Sequence, residues 1–334
     1  MLPRRQATLR QYIMNELLKF APILKPVIWG GQRLAAYKGL PASGVPIGES
    51  WELSPIEGME SVVSEGSFKG KKLSELLAEF SADILGIRLA HIYGTRFPLL
   101  IKFIDTADNL SVQVHPDDNI ALKRHKCPGK SEMWYSIAPE KDSYLYAGFS
   151  QCVNAAIFRR LLDENKVTEI LRKYYTRPGD VLFLPAGRIH SMGPGNLLLE
   201  IQQASDITYR VYDYDRRDAD GKQRELHIEE SIGALDFNDC EGADLSNVQA
   251  IPGKTSHLTT CDYFTSEITG IDGRMEIDLS HRDSFTAMTA ISGNMQIEGP
   301  AGSVSLRQGE TVLIPACVSS VIIQGRGSII SAYI

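Results

Sequence analysis

The chain has 334 residues, 43% of them hydrophobic and 23% charged, proportions of an ordinary globular protein that exclude a disordered, fibrous or coiled-coil chain. A formal net charge of −6 argues against non-specific binding to nucleic acid or an anionic membrane, because both need a concentrated basic surface; an anionic ligand must be held by a local site. The five cysteines, Cys127, Cys152, Cys240, Cys261 and Cys317, are far apart and form no C-x-x-C, which points to neither a disulfide framework nor a thiolate metal site and fits a reducing cytoplasm.

No apolar run reaches the roughly 20 residues of a membrane helix. Residues 1–15 hold Arg4, Arg5 and Arg10 but neither the apolar core nor the cleavage site of a secretory signal, so a poorly ordered extension, or a start codon upstream of Met14, is expected there. Ser74 to Tyr93 spaces Leu76, Leu77, Phe80, Ile84, Ile87 and His91 along one helical face behind a Ser74 cap. Asn154 to Tyr174 repeats the pattern with Ile157, Leu161, Leu162, Ile170 and Leu171. Around these helices lie short apolar or alternating runs: Pro98 to Ile104, Ser111 to His115, Met133 to Ala138, Val181 to Leu184, Leu197 to Gln203 and Ile207 to Asp213. Strands without regular βαβ alternation argue against a doubly wound parallel sheet. From Tyr263 onward short strands are predicted, with turns at Gly270, Gly273, Gly293, Gly299, Gly302, Gly309 and Gly325, which makes a second all-β unit.

A faint repeat links the two β regions. Gly179 to His190 has the form G-x5-P-x-G-x2-H, and Gly309 to Cys317 repeats its first nine positions, with Ser320 at the twelfth. The Gly opens a turn, the apolar run crosses a barrel wall, and the next strand begins with an inward residue. In one copy that residue is a histidine able to bind metal, and in the other it is not. Two related barrels, one catalytic and one structural, are expected.

Strand alternation turns Ser111, Gln113 and His115 to one face and Val112 and Val114 to the other. If the valines pack outward, Gln113 and His115, ~7 Å apart along the strand, look into a barrel lumen. Glu132, at the start of an apolar strand, and His190 complete a set of two imidazoles, one carboxylate and one amide oxygen that suits zinc, with iron, manganese or cobalt as other fits. His91, His125, His227, His257 and His281 lack a comparable setting and are read as surface residues.

These segments, with Lys25 to Gly31, Gly48 to Glu52, Gln113 to Asp118, Gly129 to Tyr135, Ile189 to Ser191 and Glu200 to Arg210 in this order, resemble the type I phosphomannose isomerases of the cupin superfamily, in particular their short bacterial members, over Leu17 to Tyr333. The resemblance implies two cupin-type jelly-roll barrels with a few flanking helices: a catalytic domain over 16–250 and a non-catalytic one over 251–334. It also implies one zinc ion per chain, held by Gln113, His115, Glu132 and His190, with Arg210 essential to catalysis. The implied activity is interconversion of mannose 6-phosphate and fructose 6-phosphate in the cytoplasm by a monomer or weak homo-oligomer. The large helical insertion of longer members is missing here, and the resemblance puts the segment 154–174 in its place.

Such a reaction moves a proton between C1 and C2 through an enediol while charge on two oxygens is stabilised. A hairpin of 197–203 with 207–213 would set Glu200 directly opposite Arg210. Glu200 is then a proton-transfer residue or the group orienting Arg210, and Arg210 stabilises the enediolate or the phosphate; an ordinary cross-strand ion pair is the alternative. Lys130, two residues before Glu132, is a sugar contact, a base or a solvated lysine, and Ser111 a substrate hydrogen bond or a wall residue. Rival readings are an iron cupin dioxygenase, which would more usually show three histidines, and a regulatory sugar-binding protein that keeps its metal for stability.

Overall fold

Every position of the strand Leu197–Gln203 is buried, which a half-exposed sheet would not allow; both of its faces are covered. Leu197, Leu199 and Ile201 join a core with Leu76, Leu77 and Phe80 on one side and Phe285, Ala287 and Ile330 from the C-terminal region. Leu198 packs the other way, with Ile104, Trp134, Leu182 and Leu145, and Glu200 and Gln202 share its face by alternation. The computed structural model, which describes residues 15–41, 44–218 and 220–334, is mainly β with few helices. The expected extension at 1–15 falls almost wholly outside the described residues.

That strand is central in an antiparallel sheet ordered Leu245–Asn247, Asp180–Leu184, Glu132–Ser136, Leu197–Gln203, Leu99–Asp105, Glu49–Leu53, Ile23–Lys25. Facing it is a five-stranded sheet: Tyr209–Tyr212, Val112–Val114, His190–Met192, Tyr144–Phe149, Leu171–Tyr175. The outer face of this second sheet is apolar. Val112, Val114, Ile189 and Val211 pack there with Phe158, Val167 and Ile170, so its polar residues turn inward toward the first sheet. A third, seven-stranded sheet takes the C-terminal region together with Leu18–Lys19, whose Leu18 pairs with Leu313.

The helical segment expected over 74–93 is two helices, Leu73–Leu85 and Ile87–Tyr93. They part at Gly86, whose φ of +95° suits glycine and where a Cβ would lie 2.5 Å from the Asp283 carbonyl oxygen. The segment 154–174 is helical only over Ala155–Asp163, capped by Asn154, whose side chain accepts from the Ile157 N–H. Asn165 then takes φ +57° and ends the helix. A 3-10 turn, Val167–Ile170, leads into the strand Leu171–Tyr175; Ile170 and Leu171 kept the helical spacing, but Ile170 closes the 3-10 turn and Leu171 pairs across strands with Phe149.

In the third sheet the glycines mark bends more often than turns. Three strands, Thr265–Asp278, Thr286–Gly299 and Ser320–Tyr333, run 14 residues each. Gly273 pairs with Gly325 and Gly293 with Gly327 inside them, and a Cβ on Gly293 would meet the Arg326 carbonyl oxygen at 1.9 Å. At Gly293, Gly325 and Gly327 the backbones approach too closely for a side chain, whereas Gly273 has open space around it and its φ of +97° is what suits glycine. Gly299, Gly302 and Gly309 do lie at turns. The faint repeat has a structural counterpart. Gly179 and Gly309 both take positive φ, the strands Asp180–Leu184 and Thr311–Ile314 follow, and His190 and Ser320 each open the next strand.

Candidate metal centre and catalytic site

Three side chains stand in one cross-strand row of the five-stranded sheet: Arg210 pairs with Gln113, and Gln113 with His190. The opposite sheet supplies Glu132, whose strand neighbour is Gln202, and two residues on, Trp134 beside Glu200. His115 follows the end of Val112–Val114. The row and the facing strand meet in the interior: His190 Nε2 is 3.3 Å from Glu132 Oε1 and His115 Nε2 is 3.4 Å from Glu132 Oε2. The ligand atoms of the three all lie within 4.8 Å of one another. Gln113 Nε2 donates to His190 Nε2 across 3.2 Å.

Backbone carbonyls set both imidazoles. His115 Nδ1 donates to Ile207 O at 2.9 Å and His190 Nδ1 to Arg188 O at 2.9 Å, which leaves each Nε2 unprotonated beside Glu132, that of His190 accepting from Gln113 and that of His115 without a donor. His115 Nε2 and both Glu132 oxygens are buried without a hydrogen-bond partner. Three such atoms around one point would be costly in a closed core. A cation among them resolves all three, and the donor set of two imidazoles and a carboxylate suits a borderline metal ion. The residues fit a metal.

Burial and then the charge of Lys130 hold the His115 imidazole down at about 3, so it is neutral, as a ligand must be. Burial alone would raise the Glu132 carboxyl, but Lys130, His115 and His190 bring it well below the usual range. Lys130 Nζ lies 3.3 Å from Glu132 Oε2, and burial lowers the Lys130 ammonium itself. Ser111 Oγ donates to Gln113 Oε1 at 3.4 Å.

Glu200 and Arg210 do not form the expected hairpin pair. Leu197–Gln203 pairs with Leu99–Asp105 and Glu132–Ser136, whereas Tyr209–Tyr212 pairs with Val112–Val114, so the chain between them crosses from one sheet to the other. Glu200 instead holds Lys102 Nζ at 2.6 Å and accepts from Trp134 Nε1 at 2.7 Å. Arg210 donates from Nη1 to the Glu225 carbonyl at 2.9 Å, and its backbone N–H to His227 Nδ1 at 3.3 Å. His227, read as a surface residue, is half-buried beside it. Beyond Arg210, Asp213 binds both Arg216 and Arg224.

Two family descriptions match this chain: "Phosphomannose isomerase type I, catalytic domain" over residues 17–143 and "Mannose-6-phosphate isomerase, cupin domain" over 253–334. Mannose-6-phosphate isomerase ManA of Bacillus subtilis is 34% identical over 303 residues, 90% of this chain and 93% of that protein. The chain belongs to the type I phosphomannose isomerases. The mannose-6-phosphate isomerase of Streptococcus mutans is 32% identical over 92% of this chain and 94% of its own. A crystal structure of the mannose 6-phosphate isomerase from Bacillus subtilis superposes with a TM-score of 0.84 at 28% identity, covering 95% of this chain and 99% of that one.

Within this phosphomannose isomerase site, sequence reasoning passed over Lys102 and Glu49. Glu49 accepts from Trp51 Nε1 at 2.7 Å, and although burial would raise its carboxyl, Lys102 and Lys25 lower it overall. A lone lysine inside the apolar run Pro98 to Ile104 was the available signal, since such a charge is buried only with a partner.

Proposed function

We propose that this chain interconverts D-mannose 6-phosphate and D-fructose 6-phosphate by proton transfer through an enediol. The observation that carries the reading is the convergence of His115, Glu132 and His190, with orphaned buried atoms, beside the row that ends in Arg210. Gln113, His115, Glu132 and His190 are assigned as ligands of one zinc ion. Zinc, when bound, supplies a Lewis acid that stabilises charge developing on the substrate oxygens.

Arg210 orients the substrate anion or its enediolate through a planar fork of donors, anchored at one end by Glu225 O. Ser111 offers a hydroxyl at the same wall. Glu200 is engaged at both oxygens by Lys102 and Trp134, which suits it to fix Lys102 more than to carry a proton. Lys130, held beside Glu132, is the proton-transfer candidate, and it also reaches a sugar oxygen. The facing pair of antiparallel sheets is read as a jelly-roll cupin barrel that forms the catalytic domain to about residue 250. The third sheet is read as a second barrel without ligands, with Ser320 where the first has His190. A cytoplasmic monomer or weak homo-oligomer is proposed.

Metal-replete protein incubated with mannose 6-phosphate is expected to form fructose 6-phosphate, and a chelator to stop it. Absence of turnover in the metal-replete sample would overturn the assignment.

A further inference from the structure

Two cysteines 88 positions apart in sequence come together on the outer side of the five-stranded sheet, with their sulfurs 3.4 Å apart. Cys152 is exposed and lies just before the Asn154 cap; Cys240 is half-buried in the loop after the helix Ile228–Ala234. Hydrogen bonds tie the segments that carry them to each other and to the sheet. The Phe149 N–H donates to Asp239 O at 3.0 Å, and Arg172 Nη2 to Cys240 O at 3.1 Å. Asp239 in turn grips Arg188 in a fork, Nε at 2.7 Å and Nη2 at 2.9 Å, and the Arg188 carbonyl accepts from His190 Nδ1.

We propose that Cys152 and Cys240 are a redox modification site, closing to a reversible disulfide that clasps the two loops behind the His190 strand. A disulfide spans about 2.05 Å between sulfurs, so side-chain rotation has to bring them about 1.4 Å closer. The oxidant is a hydroperoxide. The exposed Cys152 thiolate attacks one peroxide oxygen, the O–O bond breaks, and a sulfenic acid forms with release of hydroxide or alkoxide. Cys240 thiolate then attacks the Cys152 sulfur, the S–OH bond breaks, and a second hydroxide leaves. Two thiols are oxidised, one peroxide is reduced, and the two protons neutralise the leaving anions. Two equivalents of a small thiol reduce the bridge by exchange through a mixed disulfide and leave as their own disulfide, restoring both cysteine thiols. The bridge closes a long loop, which restricts the unfolded chain.

The test uses the whole protein, reduced and then treated with hydrogen peroxide, blocked with iodoacetamide and mapped by peptide mass spectrometry. Joined peptides carrying Cys152 and Cys240 are expected, with two of the five thiols lost to titration and restored by dithiothreitol. Tm of the oxidised protein should rise by roughly 5 °C over the reduced form, and Cys240→Ser should abolish both the bridge and the rise. The proposal is overturned if both cysteines remain alkylated, if Cys152 proceeds to sulfinic acid in the wild type, or if it bridges two chains. These readouts are independent of isomerase turnover.

Discussion

Lys102 and Glu200 face each other across neighbouring strands, Nζ to Oε2 at 2.6 Å, with side chains almost closed to water. The pair stands on the wall of the same interior that holds Glu132, two residues along the strand from Trp134, the third member of the group.

Removing one partner leaves the other charge buried and uncompensated. Lys102→Met or Glu200→Leu alone should therefore destabilise the protein by about 3–5 kcal/mol, and the double variant should recover most of that loss. Urea unfolding checks this; two additive losses would refute the coupling.

His115→Ala and His190→Ala are each expected to remove most of the bound metal along with activity, measured by elemental analysis of purified protein and by the isomerisation assay. A variant that keeps its full metal content would strike that residue from the ligand set.

Arg210→Ala should leave metal content unchanged and lower kcat by about 10²- to 10³-fold, with Arg210→Lys a poor rescue because a point charge lacks the guanidinium fork. An unaltered rate would remove Arg210 from the mechanism.

Asp213 predicts a pH dependence. Burial would raise its carboxyl, but hydrogen bonds from Arg224 and Arg216 bring it below the normal value. A group with a depressed folded pKa contributes stability that is present above its unfolded pKa of about 3.9 and lost as pH falls through the folded value. Asp213→Asn should thus be less stable than wild type at pH 7, with the gap closing below about pH 4. Thermal melts across that range measure it, and a gap that widens in acid contradicts the assignment.

The expected strands of the first unit recur within a residue or two because each is short, apolar and bounded by turn residues, as with Val112–Val114 and Leu197–Gln203. Gln113 and His115 were legible as inward residues because alternation beside Val112 and Val114 left no other face for them, whereas Glu132 and His190, which lie on other strands, could be joined to them only as candidate ligands and through the family resemblance. The partner of Glu200 was not. Hairpin reasoning assumes that consecutive strands pair, and here the intervening residues cross between sheets, so a local rule named Arg210 where a distant lysine was correct. Gly273, Gly293 and Gly325 misled in a related way. A glycine that permits a bend inside a long strand looks the same, in one sequence, as a glycine that ends a short one.

Leu18 is bonded to Leu313, so one of the earliest strands to leave the ribosome has no sheet to join until nearly the last has been made. The shared core, in which Leu76 and Phe80 meet Phe285 and Ile330, has the same delay. Severing the chain near residue 250 would strip both of their cover. The two units should then unfold in a single transition, and neither should be recoverable as an autonomous fragment.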